Sequence, residues 1–173
     1  MGASCIFPLI GVNEFQWEFL GTDIDDRAIK NAKEIVNKNK LDEWIKIIKQ
    51  GDPKKILEGV LDKSKFDLLI CNPPFYHSVD ERKIPSTYKL NPVEESTEGG
   101  EVGFIQRLLQ ESQKHKEDIR WYTTLIGKKI DFEFINRYIK HFVVDVKQTR
   151  MGTIDQGKNR RWVIAWSYLD STI

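Results

Sequence analysis

Four consecutive residues, Asn72-Pro73-Pro74-Phe75, carry the clearest chemical signal in the chain. They follow Phe66 to Cys71 (FDLLIC), an apolar run that reads as a short strand buried on both faces. Proline cannot donate to a ladder, so the strand must stop there. An asparagine amide beside a proline carbonyl offers two acceptors without adding charge. Such a pair suits a planar amine like that of adenine, whose lone pair is delocalised into the ring. Accepting both amine hydrogens localises the lone pair and makes the nitrogen a nucleophile. The Asn72 side-chain oxygen and the Pro73 carbonyl would be the acceptors, with Pro74 helping to hold them rigid and preorganised. Phe75 would stack on a base taken out of its strand, and Tyr76 would add a second wall. No general base is required, because the amine can lose its proton after alkylation. The competing reading is a proline pair that merely ends a strand, with Phe75 in the core. The asparagine before the pair and the aromatic after it favour chemistry.

Asp23 is the second candidate. It follows the apolar run Trp17 to Thr22 (WEFLGT), where an acid commonly accepts from the ribose hydroxyls of a nucleotide-like ligand. Asp25 and Asp26 are the better helix caps, which leaves Asp23 for a ligand. Gly2, Ala3 and Ser4 have the composition of the tail of a glycine-rich cofactor loop. Gly51-Asp52 follows the next strand and fits either a contact to a cofactor's adenine or an ordinary turn. A basic stretch, Lys147, Arg150, Lys158, Arg160 and Arg161 against Asp155 alone, suits phosphate contacts, as do Lys128 and Lys129. A solvated hairpin tip would look the same. His77, His115 and His141 are scattered and read as local hydrogen-bonding residues. Nothing in the sequence reads as a metal site.

The elements that position these residues alternate. Asp26 to about Asn39 is an amphipathic helix on the spacing of Ala28, Ile29, Ala32, Ile35 and Val36. Trp44 to Ile48 is a strand. Pro53 to about Leu61 is expected to be a helix, since proline suits a first turn. A loop runs from Asn72 to about Gly100, then a helix from Glu101 to Glu117. Trp121 to Ile126 is a strand and Asp131 to about Lys140 a helix. Phe142 to Gln148 and Trp162 to Tyr168 read as a hairpin with a polar connection. Alternation of this kind predicts an α/β domain with a mainly parallel sheet and ligands at the carboxyl ends of strands.

Composition agrees with a folded α/β domain. The 173 residues are 40% hydrophobic and 31% charged, which excludes a disordered chain. The formal charge of +1 leaves any nucleic-acid contact to local charge. Two cysteines, Cys5 and Cys71, make neither a disulfide framework nor a zinc motif. No apolar run approaches the roughly 20 residues of a membrane helix, and no secretory signal is visible.

Longer stretches carry a resemblance. GASCIFPLIG, FLGTDID, ICNPPF, GGEVGFIQR, RWYTTLIGKK and QGKNRRWVIAWS together resemble the family that contains human methyltransferase-like protein 16 and the bacterial 23S ribosomal RNA adenine-N(6) methyltransferases. The resemblance implies a class I, Rossmann-like methyltransferase sheet with its last strand antiparallel. It implies S-adenosyl-L-methionine as methyl donor and an adenosine of a structured RNA, of the U6 snRNA or ribosomal kind, as acceptor. Asn72 to Phe75 map onto the family's catalytic tetrapeptide. Asp23 maps onto its ribose-binding acid, and Gly2, Ala3 and Ser4 map in part onto its cofactor loop. Asp52 and Asn72 complete the expected cofactor set. Phe75, Tyr76 and the basic residues named above form the expected RNA set. Lys49 to Lys55 lies where eukaryotic members carry a loop that can block the cofactor, and its sequence here differs. The family's first strand, which ends in Asp-Ile-Gly-x-Gly, has no counterpart before Met1. Residues 1–173 are therefore expected to be a catalytic domain incomplete at its front, with a gap in the sheet between the strands ending at Thr22 and Cys71. Activity on another amine or amide (protein glutamine, DNA adenine, ribosomal guanine) and a non-catalytic RNA-binding relic are the alternatives. Nuclear or cytoplasmic residence follows by analogy alone.

Overall fold

A computed structural model describes residues 1–61, 64–74, 99–157 and 159–170. The chain forms two compact units, Met1–Asp62 and Lys63–Ile173.

The first unit holds α1 (Ile6–Phe15), β1 (Phe19–Asp23), α2 (Asp26–Lys38) and β2 (Ile45–Lys49). Strands β1 and β2 pair in parallel, from Phe19 opposite Ile45 to Asp23 opposite Lys49. Helix α2 buries Ala28, Ile29, Ala32 and Val36, the stripe its sequence spacing predicts. Asp25 caps it, its carboxylate accepting from Arg27 N at 3.2 Å and Ala28 N at 3.3 Å. Helix α1 is not legible in the sequence, because its apolar residues do not keep to one face. Its Gly11 makes room for a ring, since a Cβ there would lie 2.2 Å from Phe19 Cζ. The missing side chain lets Phe19 close on the helix. Cys5, Val12, Ala32, Val36 and Ile45 form the core beneath.

The expected helix from Pro53 to Leu61 is absent; the segment is a run of turns. Two features explain this. The buried Gln50 amide donates to the carbonyls of Ile56, at 3.5 Å, and Glu58, at 3.0 Å. Those carbonyls are thereby turned to a side chain instead of a helical ladder. Gly59, with φ +86, then breaks the chain direction.

The second unit holds β3 (Phe66–Cys71), α3 (Gly100–Ser112), β4 (Ile119–Ile126), α4 (Lys129–Phe142), β5 (Gln148–Gln156) and β6 (Asn159–Ser167). Its sheet runs in the order β3-β4-β6-β5. Strands β3 and β4 are parallel, and β6 is antiparallel to β4 and to β5. The antiparallel last strand is as expected. Strand β1 pairs with β2, and β3 with β4, among the described strands. The expectation that β3 is buried on both faces fails, with Leu68 36% and Ile70 39% exposed. Both lie on the face of β3 away from Leu69 and Cys71, and neither α3 nor α4 packs extensively on β3.

Helix α3 ends at Ser112, five residues short of the expected Glu117. Ser112 Oγ donates to Leu109 O at 2.8 Å and meets Tyr168 Oη at 2.7 Å and Trp166 Nε1 at 3.1 Å. The chain then passes through turns closed by Lys114 N to Glu111 O and Asp118 N to His115 O. The hairpin exists, but its first strand begins at Gln148 where Phe142 was expected. Thr149, Met151 and Thr153 alternate with Arg150, Gly152 and Ile154 across the sheet, so the stretch read as a polar connection is itself a strand. Gly157, with φ +61, makes the turn. No helix among the described residues is long and apolar enough to cross a membrane.

Asp25→Ala should lower the unfolding free energy by about 1 kcal/mol, the usual worth of an N-cap. Urea denaturation reads this directly, and an unchanged midpoint would remove the cap from the account of α2.

Candidate active site

Both units present candidate residues at the carboxyl ends of their parallel strands. In the first unit Asp23 closes β1, its side chain only 13% exposed. Its Oδ2 accepts from Gly2 N at 2.9 Å and its Oδ1 from Asp25 N at 3.2 Å. Asp23 is therefore engaged by backbone, contrary to the expectation that the caps leave it free. Each carboxylate oxygen still keeps lone-pair capacity for a hydroxyl donor. The Gly2 contact joins a strong cofactor candidate, Asp23, to a weak one, 21 positions apart in sequence. Ala3 and Ser4 lie in the turn between Gly2 and helix α1. Asp52 follows β2 and uses its Oδ1 to accept from Lys54 N at 2.9 Å, an Asx turn. Lys49 lies 2.7 Å from both Asp26 oxygens.

In the second unit β3 ends at Cys71, opposite Thr124 of β4. Burial pushes the Cys71 thiol up to about 11, against a lowering hydrogen bond from Thr124, so it stays protonated. Asn72 then emerges exposed, Pro73 is fully buried and Pro74 half-buried. The Asn72 side chain thus faces solvent, whereas Pro73, whose carbonyl is the second expected acceptor, has almost no accessible surface. Phe75, Tyr76 and His77 lie outside the described residues.

Beside this strand end, β4 finishes at Ile126 and runs through Gly127 into Lys128 and Lys129. Lys129 pairs with Glu133 at 3.7 Å. Across the β4–β6 pair, Trp162 stands opposite Ile126, which brings Arg160 and Arg161 to the same end. Arg161 Nη1 donates to Gly127 O at 3.4 Å. Arg160 is gripped by Asp155, with Nε to Oδ1 at 2.7 Å and Nη2 to Oδ2 at 3.3 Å. Lys158 lies outside the described residues.

Lys147 and Arg150 do not join this cluster. Arg150 pairs with Ala165, four residues along β6 from Arg161, roughly 13 Å at the rise of a strand. Its guanidinium lies 4.8 Å from the Trp121 ring centroid. Lys147 N donates to Ser167 O, farther still toward the other end. The basic stretch read as one patch is divided along the length of a hairpin.

One residue of this end is not singled out by the sequence motifs. Glu101, in the first turn of α3, is 4% exposed, and its Oε1 accepts from Gly127 N at 2.7 Å. Burial pushes its carboxyl up to about 7, offset in part by the Gly127 bond and the cations Arg161 and Lys128, and reinforced by Asp131. A signal is present nonetheless: Glu101 falls four residues before Ile105, on the apolar stripe of α3. An acid on that stripe is a buried acid. His115, by contrast, is local, bonded to Asp118 Oδ2 at 2.9 Å. Among the described residues no group of three or more His, Cys, Asp or Glu could hold a metal.

Alternating strands and helices with an antiparallel last strand give the α/β fold of the class I methyltransferases. A family profile described as RNA methyltransferase matches residues 1–170, and the chain belongs to that family. It is 36% identical over 190 residues to ribosomal RNA large subunit methyltransferase F of Pseudomonas entomophila, covering 98% of this chain and 60% of that protein. The same-named protein of Flavobacterium psychrophilum is 35% identical, with 98% and 59% covered. Among solved structures, the human METTL16 catalytic domain in complex with MAT2A 3′UTR hairpin 1 is similar at TM-score 0.88 and 33% identity, with 98% of this chain and 62% of that one covered. The N-terminal domain of human METTL16 in complex with SAH matches at TM-score 0.79 and 31% identity, with 98% and 59% covered. The chain spans about three fifths of the length of the curated relatives it matches.

Glu101 holds its proton more tightly in the folded state than in the unfolded state, where its carboxyl titrates near 4.5. The group's contribution to stability is thus intact below 4.5 and is lost as pH rises toward about 7. Melting temperatures of the native chain and Glu101→Gln, compared across that window, should diverge in favour of the glutamine variant as pH rises. Parallel curves would mean that the carboxyl titrates as an ordinary surface acid.

Proposed function

We propose that this chain is the catalytic domain of an adenine-N(6) RNA methyltransferase that uses S-adenosyl-L-methionine. The observation that carries the reading is the exposed Asn72 amide standing on the buried Pro73 at the carboxyl end of β3. Asn72 accepts one hydrogen of the adenine amine and the Pro73 carbonyl accepts the other. Pro74 keeps the backbone from relaxing, and Phe75 stacks on the base. Asp23 accepts from a ribose hydroxyl with its remaining lone pairs, while its bond to Gly2 N orders the loop entering α1. Gly2, Ala3, Ser4 and Asp52 complete the cofactor set, with Asn72 adjoining the methyl. The bound cofactor supplies an electrophilic methyl group on a sulfonium. An acceptor at Asn72, and not a donor, suits a reaction with a cationic methyl donor.

The acceptor is an adenosine in a structured RNA. Lys128, Lys129, Arg160 and Arg161 meet its phosphates at the end of the sheet that carries Asn72, and Lys158 belongs to the RNA set by sequence alone. Lys147 and Arg150 contribute only to an RNA long enough to run along the hairpin. Relatives named for ribosomal RNA and a neighbour in complex with a 3′UTR hairpin support RNA as the substrate class. An RNA substrate of either the spliceosomal or the ribosomal kind places the enzyme in the nucleus or the cytoplasm.

Asn72→Ala should lower methyl transfer to an adenosine-containing RNA hairpin by two to three orders of magnitude, the usual cost of one preorganised polar contact to the reacting centre. RNA affinity should stay within about twofold, because phosphate contacts dominate it. Single-turnover methylation and filter binding on the same preparation separate the two. Equal loss of binding and turnover, or no loss of turnover, would reject Asn72 as the amine acceptor.

A further inference from the structure

Helix α3 is where the chain returns after the segment that follows Asn72-Pro73-Pro74, and Glu101 is its second residue. The Glu101 carboxylate is buried, although a glutamine could accept the same hydrogen bond without a charge. Burying a carboxylate is costly unless something uses the charge. Three groups face it besides its bond partner: Lys128 at the end of β4, Arg161 on β6 and Asp131 on α4. Between the two cations stands Gly127, held on both sides. Its N–H donates to Glu101 Oε1 at 2.7 Å, and its carbonyl accepts from Arg161 Nη1 at 3.4 Å. Gly127 is the single residue between β4 and Lys128, so gripping it sets the direction in which Lys128 leaves the sheet. Lys128 is extended, with φ −123 and ψ 140, and has no ion pair among the described residues. Its ammonium lies within electrostatic reach of the Glu101 carboxylate.

We infer that Glu101 is a positioning residue for RNA: by clamping Gly127 together with Arg161, it aims Lys128 at a substrate phosphate. The inference rests on the RNA reading above and deepens it. Glu101 touches no reacting atom in this scheme; it acts through Gly127 and Lys128. The clamp is strongest with the carboxylate ionised, because a charged acceptor holds an N–H more tightly than a neutral one.

The test is a double-mutant cycle on the full chain, with a short adenosine-containing RNA hairpin as the probe. Lys128→Ala should weaken binding and lower the salt slope of log K by about one. Glu101→Gln should weaken binding about three- to tenfold at pH 8 and leave the melting temperature equal or higher. The double variant should bind no more weakly than the worse single variant. Below pH 6, where the native acid is neutral, the native and Glu101→Gln chains should bind RNA alike. That convergence is a signature that a merely structural hydrogen bond would not give. Additive losses, or a Glu101→Gln deficit that does not change with pH, would overturn the positioning role. So would a Lys128→Ala variant that binds as tightly as the native chain. In each of these cases methyl transfer by the native chain would still stand as a reading. A native chain that binds no RNA would remove that reading and this inference with it.

Discussion

Every strand end in the second unit's site takes its position from β4. This strand pairs with β3 on one side and β6 on the other, so its register fixes the ends of three strands at once. That register is held by side chains as well as by the ladder. Tyr122 is fully buried and stacks on Trp166 across the β4–β6 pair, with ring centroids 5.4 Å apart and planes 11° from parallel. Its hydroxyl donates to His115 O at 2.6 Å, which ties the strand to the turn that precedes it. Trp166 in turn reaches Ser112 at the end of α3. A one-residue slip would turn every one of these side chains to the opposite face. Because the register cannot slip, Asn72, Gly127 and Arg161 arrive at one end of the sheet.

The same register shows why charge counting along a sequence overstates a basic surface. The five cations between Lys147 and Arg161 span the length of a hairpin, and strands separate residues by distance even where the sequence keeps them close. Arg160 is engaged by Asp155 and Arg150 lies over Trp121. Arg161 spends one donor on Gly127. An RNA meeting this end of the sheet therefore encounters a few placed cations instead of a diffuse positive loop. Lys128 matters more than its sequence suggests, because a buried acid on another helix controls its approach.

In the first unit an opposite effect operates. Taken separately, Gly2 is a weak signal, a common glycine, and Asp23 a stronger one, an acid that follows a strand. Their 2.9 Å hydrogen bond makes them one feature, a loop anchored to a strand end. It also changes the reading of Asp23, which orders its own surroundings with two of its lone pairs before any ligand arrives.

Local rules along the chain were enough for the α/β class, the stripe and cap of α2, the antiparallel close and the Asn72-Pro73-Pro74 corner. Those rules are helical spacing, a side-chain oxygen two or three residues from the amide it caps, and proline's missing N–H. Partners distant in sequence settled the rest. Residues 53–61 are turns because the Gln50 side chain captures their carbonyls. Helix α3 stops at Ser112 because that hydroxyl is committed to Tyr168 and Trp166. The hairpin's polar stretch is a strand because Ala165 and Val163 stand opposite it. Glu101 stayed hidden for the same reason. Its burial could be read from the helix stripe, but its purpose could not, because Gly127 and Arg161 meet it only once the sheet is assembled.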